Sequence, residues 1–268
     1  MKQVMTIAGS DSGAGAGIQA DLKAFAAMGV FGTSVVTSIT AQNTTGVFDI
    51  HDVPVDSIRA QMRALFEDFD IAAVKTGMLA SPEIVVCVAG ELRRAPKLPV
   101  VVDPVMIAAS RATLIREGAV PELVGRLFPL ADVVTPNLHE ASVLADMRVE
   151  SAEEVREAAR RILVFGSRWV LVKGGHGGGE EAVDLLTDGM RTFELRAPRI
   201  ATRNTHGTGC TFASALAARL ALGEEVPRAA ENAKAFITEA IRHGIDVGRG
   251  SGPTNPFYFV PEWKARSG

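Results

Sequence analysis

The sequence predicts an α/β fold in which helices cover both faces of a mostly parallel sheet. Short runs rich in Val, Ile and Leu alternate with amphipathic segments of helical length along most of the 268 residues. The apolar runs are continuous, as expected of strands that are buried on both faces. A later pair of runs flanks an Asp-Gly turn signal, which predicts an antiparallel edge.

Each element follows from this alternation, in chain order. Strands are predicted for the apolar runs at residues 4–8, 33–39, 72–75, 100–103, 133–135 and 169–173. Helices are predicted between them at residues 18–28, 57–68, 82–93, 117–128 and 152–165. The hairpin takes residues 182–187 and 192–195, and two long helices follow, one after Cys210 and one over 227–243. Because no repeat or linker interrupts the chain, residues 1–268 are expected to form a single domain.

Composition narrows the classes of function. The formal net charge of −3 argues against nucleic acid as a partner, because a phosphate backbone requires a basic face. No apolar run approaches the roughly 20 residues that span a membrane, and the N-terminus resembles a strand rather than a signal peptide. The chain has only two cysteines, Cys87 and Cys210, so we expect no disulfide framework and a reducing cytoplasm. Cys87 lies in an apolar run and is interpreted as a core residue.

Polar residues follow the predicted strands at their carboxyl ends. They are Asp11, Gln42, Asn43, Lys75, Asp103, Asn137 and Lys173. In a parallel α/β sheet these strand ends lie along one rim, where ligands bind. Each residue alone is weak evidence, but contributions from six strands favour a shared site.

The segment at residues 204–211, NTHGTGCT, is the best candidate for an anion site. Gly207 and Gly209 bracket Thr208, Cys210 follows, and a run of small and apolar residues then predicts a helix. The first N–H groups of a helix have no intrahelical partner, and the helix dipole favours negative charge there. A thiol in that field is expected to ionise more easily than a free one. Cys210 is therefore a candidate acid/base group.

A second glycine-rich loop, GSDSGAGAG at residues 9–17, follows the first strand. Its spacing matches neither the dinucleotide fingerprint nor the P-loop. The loop is either a tight strand-to-helix turn or a backbone surface that approaches a small ligand closely. Asp21, one helical turn later, faces the same ligand or solvent.

Several polar residues keep two interpretations open. Asn137 and Glu140 share a helix face, as a capping box or as a pair that organises hydrated Mg²⁺. Lys75 and Lys173 end apolar strands, where each extends to the rim or offers positive charge to phosphate. His206 is interpreted as a hydrogen-bonded structural residue rather than a catalyst.

Seven ordered motifs between residue 4 and about residue 258 resemble the hydroxymethylpyrimidine/phosphomethylpyrimidine kinases of the ribokinase-like superfamily. They are GSD with GAGIQADLK (9–11, 15–23), TAQNT (40–44), KTGML (75–79), DPVM (103–106), TPNLHEA (135–141), KGGH (173–176) and NTHGTGCT (204–211). The resemblance implies a three-layer α/β/α sandwich that uses ATP and Mg²⁺. It implies phosphorylation of 4-amino-5-hydroxymethyl-2-methylpyrimidine and then of its monophosphate, in thiamine diphosphate synthesis, by a homodimer.

The resemblance also implies residue roles. The residues that match the family's pyrimidine pocket are Gly9, Asp21, Gln42, Met78 and Val105. The anion hole corresponds to Gly207, Thr208, Gly209 and Cys210, with Cys210 in the position of the base. The residues that match contacts to the nucleotide phosphates are Lys173, Thr208 and Asn137. Those that match the metal site are Asn137, Glu140 and Asp103.

Departures from the family pattern leave alternatives. Residues 107–111 read IAASR where relatives often carry an Ala-Lys-Ser-Gly lid, so Arg111 is the candidate replacement for the lysine. Because some relatives with this cysteine phosphorylate pyridoxal, a pyridoxal kinase is the alternative enzyme. A ligand-sensing protein without catalysis is the alternative of another class. The glycine spacing disfavours a nicotinamide oxidoreductase.

Overall fold

A computed structural model describes residues 1–107, 113–175 and 179–263. The strands are β1 (Gln3–Asp11), β2 (Phe31–Asn43), β3 (Gly46–Asp52), β4 (Ile71–Thr76), β5 (Val100–Val102), β6 (Val133–Val134), β7 (Trp169–Val172), β8 (Glu181–Thr187) and β9 (Thr192–Pro198). The helices are α1 (Gly17–Ala27), α2 (Val55–Asp68), α3 (Pro82–Arg94), α4 (Ala119–Glu122), α5 (Leu138–Ala145), α6 (Ala152–Leu163), α7 (Thr208–Ala221) and α8 (Val226–Arg242).

The nine strands form one sheet in the order β3-β2-β1-β4-β5-β6-β7-β8-β9. The six central strands, from β2 through β7 in that order, pair in parallel. β3 is antiparallel at one edge, and the hairpin of β8 and β9 is antiparallel at the other. The predicted mostly parallel sheet with an antiparallel edge is confirmed.

Helices cover both faces of this sheet, which explains the continuous apolar runs. In β7, Trp169 and Leu171 belong to an apolar cluster that includes side chains of α1, α7 and α8, while Val170 and Val172 belong to a second cluster that includes side chains of α2, α3, α5 and α6. Successive side chains of a strand point to opposite faces, so both must be apolar when both faces are covered. Each such Val or Leu contributes about 1.5–3 kcal/mol through its burial. The result is the expected three-layer α/β/α sandwich.

Three elements differ from the sequence prediction. β3 and α5 were not predicted as elements, although the Asn137 motif that begins α5 was recognised. The single helix predicted over residues 117–128 is wrong, because a short α-helical turn is followed by a wider π turn and a 3₁₀ turn at Phe128–Leu130. Pro121, Gly125 and Pro129 lie in this segment, and proline removes a helical N–H donor while glycine favours the unfolded chain.

The ends of two strands extend further than predicted. β1 includes Asp11, and β2 includes Gln42 and Asn43, so these residues belong to the last ladder pairs of the sheet. Within the described ranges, none of the helices is long and apolar enough to cross a bilayer.

Candidate active site

The turn from β1 into α1 is organised by the Asp11 carboxylate. Backbone N–H groups of Gly13, Gly15 and Ala16 donate to it at 2.8, 3.0 and 2.8 Å. Burial alone would raise the pKa of Asp11, but the hydrogen bonds from His206 and from these amides outweigh it and lower that pKa. An ionised carboxylate therefore fixes the conformation of the first glycine-rich loop.

The second glycine-rich segment packs directly against the first. Gly207 has φ +76° and precedes the first residue of α7, and a Cβ at this position would lie 1.8 Å from the carbonyl oxygen of Gly15. His206 is held by the chain that follows α8, since its N–H donates to Gly252 and its carbonyl accepts from Thr254. At position 207, only glycine can adopt this positive φ and also approach the Gly15 carbonyl so closely. The two loops thus form one surface at the carboxyl ends of the strands.

The N-terminus of α7 forms the centre of this surface. The N–H of Thr208 donates to the carbonyl of Thr205 at 3.2 Å, and Gly207 has no side chain to cap the helix, so the N–H groups of Gly209 and Cys210 are the ones available to an anion. Thr208, Gly209 and Cys210 occupy this turn, as the sequence predicts. Beside it, a Cβ on Gly209 would lie 3.3 Å from Nζ of Lys173. A lysine and a helix terminus therefore converge on the same point.

Cys210 is not the acidified thiol that the sequence suggested. Burial raises the pKa of Cys210 to about 11, and neither the charge of Lys75 nor the N–H of Gly17 compensates fully. The nearby carboxylates of Asp21 and Asp103 raise the pKa further. The expectation of an easily ionised thiol is therefore wrong, because removal from water outweighs the favourable helix field.

A buried ion pair lies beneath Cys210. Nζ of Lys75 is 2.8 Å from both carboxylate oxygens of Asp21, and both side chains have no solvent exposure. The hydroxyls of Thr6 and Ser214 donate to the same carboxylate at 2.6 and 2.7 Å. Burial alone would lower the pKa of Lys75, but the charge of Asp21 outweighs this effect and raises that pKa well above the ordinary value.

Asp21 is therefore placed below the pocket rather than in it. The family resemblance implied that Asp21 faces a pyrimidine, but its carboxylate is saturated by hydrogen bonds from β1, β4 and α7. The same bonds give Lys75 a fixed position, so its charge acts upward on the first turn of α7. That coupling was missed, although a lysine ending the apolar strand β4 was the sequence signal for it.

The other expected pocket residues lie near the carboxyl ends of β1, β2, β4 and β5. A Cβ on Gly9 would lie 3.1 Å from the sulfur of Met78, so these two residues are in contact. Met78 and Val105 share a small apolar cluster with Leu114. Gln42 lies 3.3 Å from His206, and a cavity of about 350 Å³ beside this contact is lined by residues 42–45, His206 and residues 250–251. The arrangement combines an apolar wall with an amide.

Lys173 and Asp103 form a second ion pair on the other side of α7. Their side chains approach to 2.7 Å, and Thr135 donates to the same carboxylate at 3.2 Å. Burial lowers the pKa of Lys173, but Asp103 and Glu140 outweigh that effect and raise it. Lys173 therefore remains a cation beside the carboxylates of Asp103 and Glu140. Phosphate oxygens of a nucleotide are suitable additional partners for this charge.

Asn137 and Glu140 form the capping box that was one of their two interpretations. The Asn137 N–H donates to Glu140 at 2.8 Å, and the Glu140 N–H donates to the Asn137 side chain at 2.9 Å. Burial raises the pKa of Glu140 to about 7, Lys173 opposes this shift, and Asp103 adds to it. The capping role is confirmed, while the metal role stays a prediction.

Two further observations concern the expected ligands and lid. In the described ranges, no cluster of three or more His, Cys, Asp or Glu side chains could hold a metal ion by itself. Arg111 of the expected lid and His176 of the KGGH motif lie outside the described residues.

Sequence comparison decides the family. The family model for phosphomethylpyrimidine kinase matches residues 11–255. The chain belongs to this family. A hydroxymethylpyrimidine/phosphomethylpyrimidine kinase of Haemophilus influenzae is 50% identical over 260 residues, which cover 95% of this chain and 96% of that protein.

Solved structures support the same family and fold. The phosphomethylpyrimidine kinase of Clostridium difficile is 42% identical, with a TM-score of 0.79 over 90% of this chain and 100% of that one. A pyridoxal kinase from Staphylococcus aureus in complex with AMP-PCP and pyridoxal is 34% identical, with a TM-score of 0.90 over 97% of this chain and 95% of that one. The ribokinase-like fold expected from the motifs is confirmed.

Proposed function

We propose that this member of the phosphomethylpyrimidine kinase family transfers phosphate from ATP to 4-amino-5-hydroxymethyl-2-methylpyrimidine and then to the resulting monophosphate, in thiamine diphosphate biosynthesis. The observation that carries the proposal is the uncapped first turn of α7, with Lys75 fixed beneath it and Lys173 beside it. Backbone N–H groups and two cations at one point suit the charge of a transferring phosphoryl group.

The acceptor is proposed to bind between Gly9, Gln42, Met78 and Val105. The apolar wall of Met78 and Val105 suits a flat methylated ring, and Gly9 lets the ring approach the backbone of β1. The Gln42 amide has both a donor and an acceptor, which complement an amino group beside a ring nitrogen. This side of the pocket leaves the hydroxymethyl group free to point toward α7.

The nucleotide is proposed to lie on the opposite side of α7, over Lys173, Thr208 and Asn137. The AMP-PCP in the similar Staphylococcus aureus enzyme supports ATP as the phosphoryl donor. Lys173 would bind phosphate oxygens as a point charge, and the hydroxyl of Thr208 lies in the same first turn of α7.

Mg²⁺ fits the acidic residues beside Lys173. Asp103 and Glu140 are buried carboxylates, and oxygen ligands of this kind suit a hard ion that retains water. Asn137 contributes through its capping bonds to Glu140 rather than through a free oxygen. When bound, the ion would supply positive charge against the phosphates of ATP.

Cys210 is proposed to act as a neutral thiol near the acceptor. With a pKa of about 11 it is protonated at neutral pH, so only the small fraction that has lost its proton to solvent can take the hydroxymethyl proton in the first transfer. A loose phosphoryl-transfer transition state demands little from a base. In the second step the acceptor is already an anion, and a neutral thiol does not repel it.

The decisive experiment offers the protein Mg-ATP with the hydroxymethylpyrimidine and, in parallel, with pyridoxal. We expect monophosphate and then diphosphate from the pyrimidine, and a much lower kcat/KM for pyridoxal. Cys210→Ala should bind the pyrimidine normally but slow the first transfer. A preference for pyridoxal would instead support the related kinase activity, and tight pyrimidine binding without any turnover would support a sensing protein.

The assembly is proposed to be a homodimer, and the compartment the cytoplasm. Both Cys87 and Cys210 are free thiols, which fits a reducing environment. Light scattering should give a mass near twice 28.3 kDa. A mass near that of one chain at micromolar concentration would reject the dimer without affecting the proposed chemistry.

A further inference from the structure

Asp11, His206 and Gln42 form a hydrogen-bonded cluster at the acceptor side of the site. Nε2 of His206 lies 2.8 Å from Oδ2 of Asp11 and 3.3 Å from the side-chain nitrogen of Gln42. The side chains of His206 and Asp11 are 9% and 3% exposed, so solvent has little access to these contacts. The cluster links the two glycine-rich loops to the amide that faces the pocket.

The protonation of His206 follows from the surroundings of Asp11. The Asp11 carboxylate already accepts three backbone N–H groups, and its lowered pKa keeps it ionised. An ionised carboxylate only accepts hydrogen bonds, so Nε2 of His206 must carry the proton. This holds for both the neutral Nε2–H tautomer and the imidazolium.

That proton decides the orientation of the Gln42 amide. The one Nε2 proton of His206 points to Asp11 at 2.8 Å and lies close to Gln42 at 3.3 Å. A Gln42 nitrogen there would place two donors against each other, whereas the carbonyl oxygen can accept the weaker branch of a three-centre bond. Thr40 gives the same answer independently, because its hydroxyl lies 3.0 Å from the carbonyl of Ser10 and 3.1 Å from the other amide atom of Gln42. The Thr40 hydroxyl donates to Ser10, and its oxygen still has lone pairs that accept, so the Gln42 nitrogen is the better partner for it.

We propose that Asp11 and His206 are positioning residues that hold the Gln42 carbonyl on the His206 side and its NH₂ on the Thr40 side, and so select the acceptor. This inference rests on the proposed function for the identity of the acceptor. The remaining lone pair of the carbonyl then accepts from the amino group of an aminopyrimidine. The remaining N–H of the amide donates to the adjacent ring nitrogen.

The fixed amide also disfavours pyridoxal. Pyridoxal has no amino group beside a ring nitrogen, so it leaves part of the fixed donor–acceptor pair of Gln42 unsatisfied. Sites that are built to hydrogen-bond a substrate reject analogues strongly when their own polar groups lose a partner. Discrimination between the two rings thus depends on residues that do not touch the substrate.

The kinetic test compares His206→Phe with His206→Gln and with His243→Phe. Phe removes the donor at similar size, Gln restores an N–H donor, and His243 bonds to a carbonyl of its own helix, α8, and stacks on Tyr258. For His206→Phe we expect a 10- to 100-fold rise in KM for the pyrimidine, an unchanged KM for ATP, and a fall of at least tenfold in the preference over pyridoxal. His206→Gln should recover much of that preference, and His243→Phe should match the wild type.

A spectroscopic test is independent of turnover. Two-bond ¹H–¹⁵N correlation spectra of the wild type should identify His206 as protonated on Nε2, and Asp11→Asn should change that signature. An unprotonated Nε2, or an unchanged acceptor preference in a folded His206→Phe protein that still phosphorylates the pyrimidine, would overturn the inference. A wild type without pyrimidine kinase activity but with a protonated Nε2 would reject the proposed function and retain the cluster.

Discussion

At the scale of single residues, surroundings decide chemistry more than residue type does. Cys210 lies at a helix N-terminus and near Lys75, both of which favour a thiolate, yet partial burial of the thiol raises its pKa to about 11. Glu140, with a pKa raised to about 7, responds to burial in the same direction. The acidic rim is therefore less charged at neutral pH than its composition suggests.

Alkylation should report the raised pKa of Cys210. In a Cys87→Ser background, we expect the iodoacetamide rate at pH 8 to be about 100-fold or more below that of a free thiol, because only the thiolate reacts. The rate should still be rising above pH 9. The same protein unfolded in urea provides the control. A midpoint at or below about 8.5 would contradict a neutral thiol.

Cys210→Asp should separate the two phosphoryl transfers. A carboxylate can serve as base for the hydroxymethyl group, but its charge repels the monophosphate acceptor. We expect the second transfer to slow by about tenfold or more relative to the first. Rapid-quench assays with each acceptor would measure both steps, with Cys210→Ser as the neutral control. Equal effects of Cys210→Asp on both steps would contradict repulsion between the carboxylate and the monophosphate.

At the scale of elements, the site depends on contacts between segments that are distant in the sequence. The loop before α1 and the turn before α7 touch at Gly15 and Gly207. Lys75 on β4 and Asp21 on α1 are joined to α7 through Ser214. The anion surface is therefore fixed from its side and from below.

Gly207→Ala should disturb the site far more than an ordinary glycine substitution does. A Cβ would lie 1.8 Å from the Gly15 carbonyl, and φ is +76°. We expect about 2 kcal/mol or more of lost stability and about 100-fold lower kcat. Gly90→Ala is the matched control, since no atom lies within 4 Å of its Cβ position in α3, and it should stabilise by about 0.5–1 kcal/mol. Equal outcomes for the two variants would refute the close-contact argument.

The Lys75–Asp21 pair should behave as a coupled unit in stability measurements. Lys75→Met leaves a buried carboxylate without its cation and should cost about 3–5 kcal/mol in urea unfolding. The double variant Lys75→Met/Asp21→Asn removes both charges, so we expect it to lose less than the sum of the two single variants. Strict additivity would show that the two charges do not stabilise each other.

At the scale of the whole molecule, the proposed ligands bridge elements from both halves of the sheet. ATP that binds only the folded state should stabilise it by about 2.7 kcal/mol at 100 times its Kd. For a chain of this size we expect a Tm rise of about 5–10 °C with Mg²⁺, and a smaller rise with EDTA. Lys173→Ala should abolish the shift, and the exposed Lys97→Ala should preserve it. An identical shift in both variants would exclude Lys173 from the nucleotide site.

Local patterns carried a large part of the fold and of the site. Continuous apolar runs predicted the parallel strands because both faces are covered, and the rim residues Gln42 and Lys173 followed from the common direction of those strands. Gly207 followed from the glycine-rich segment that begins a helix. The helix predicted over residues 117–128 failed because proline and glycine interrupt it. β3 was missed because its half-exposed edge position lacks a continuous apolar run.

The sequence by itself determined the α/β architecture, the family and the rim along which the candidate site lies, because strand periodicity and motif order are local properties of the chain. Only the tertiary structure decided that Asp21 pairs with Lys75 below the pocket and that His206 joins Asp11 to Gln42. These partners are separated by 54 to 195 positions. The ionisation of Cys210 likewise depends on burial, which no local pattern specifies.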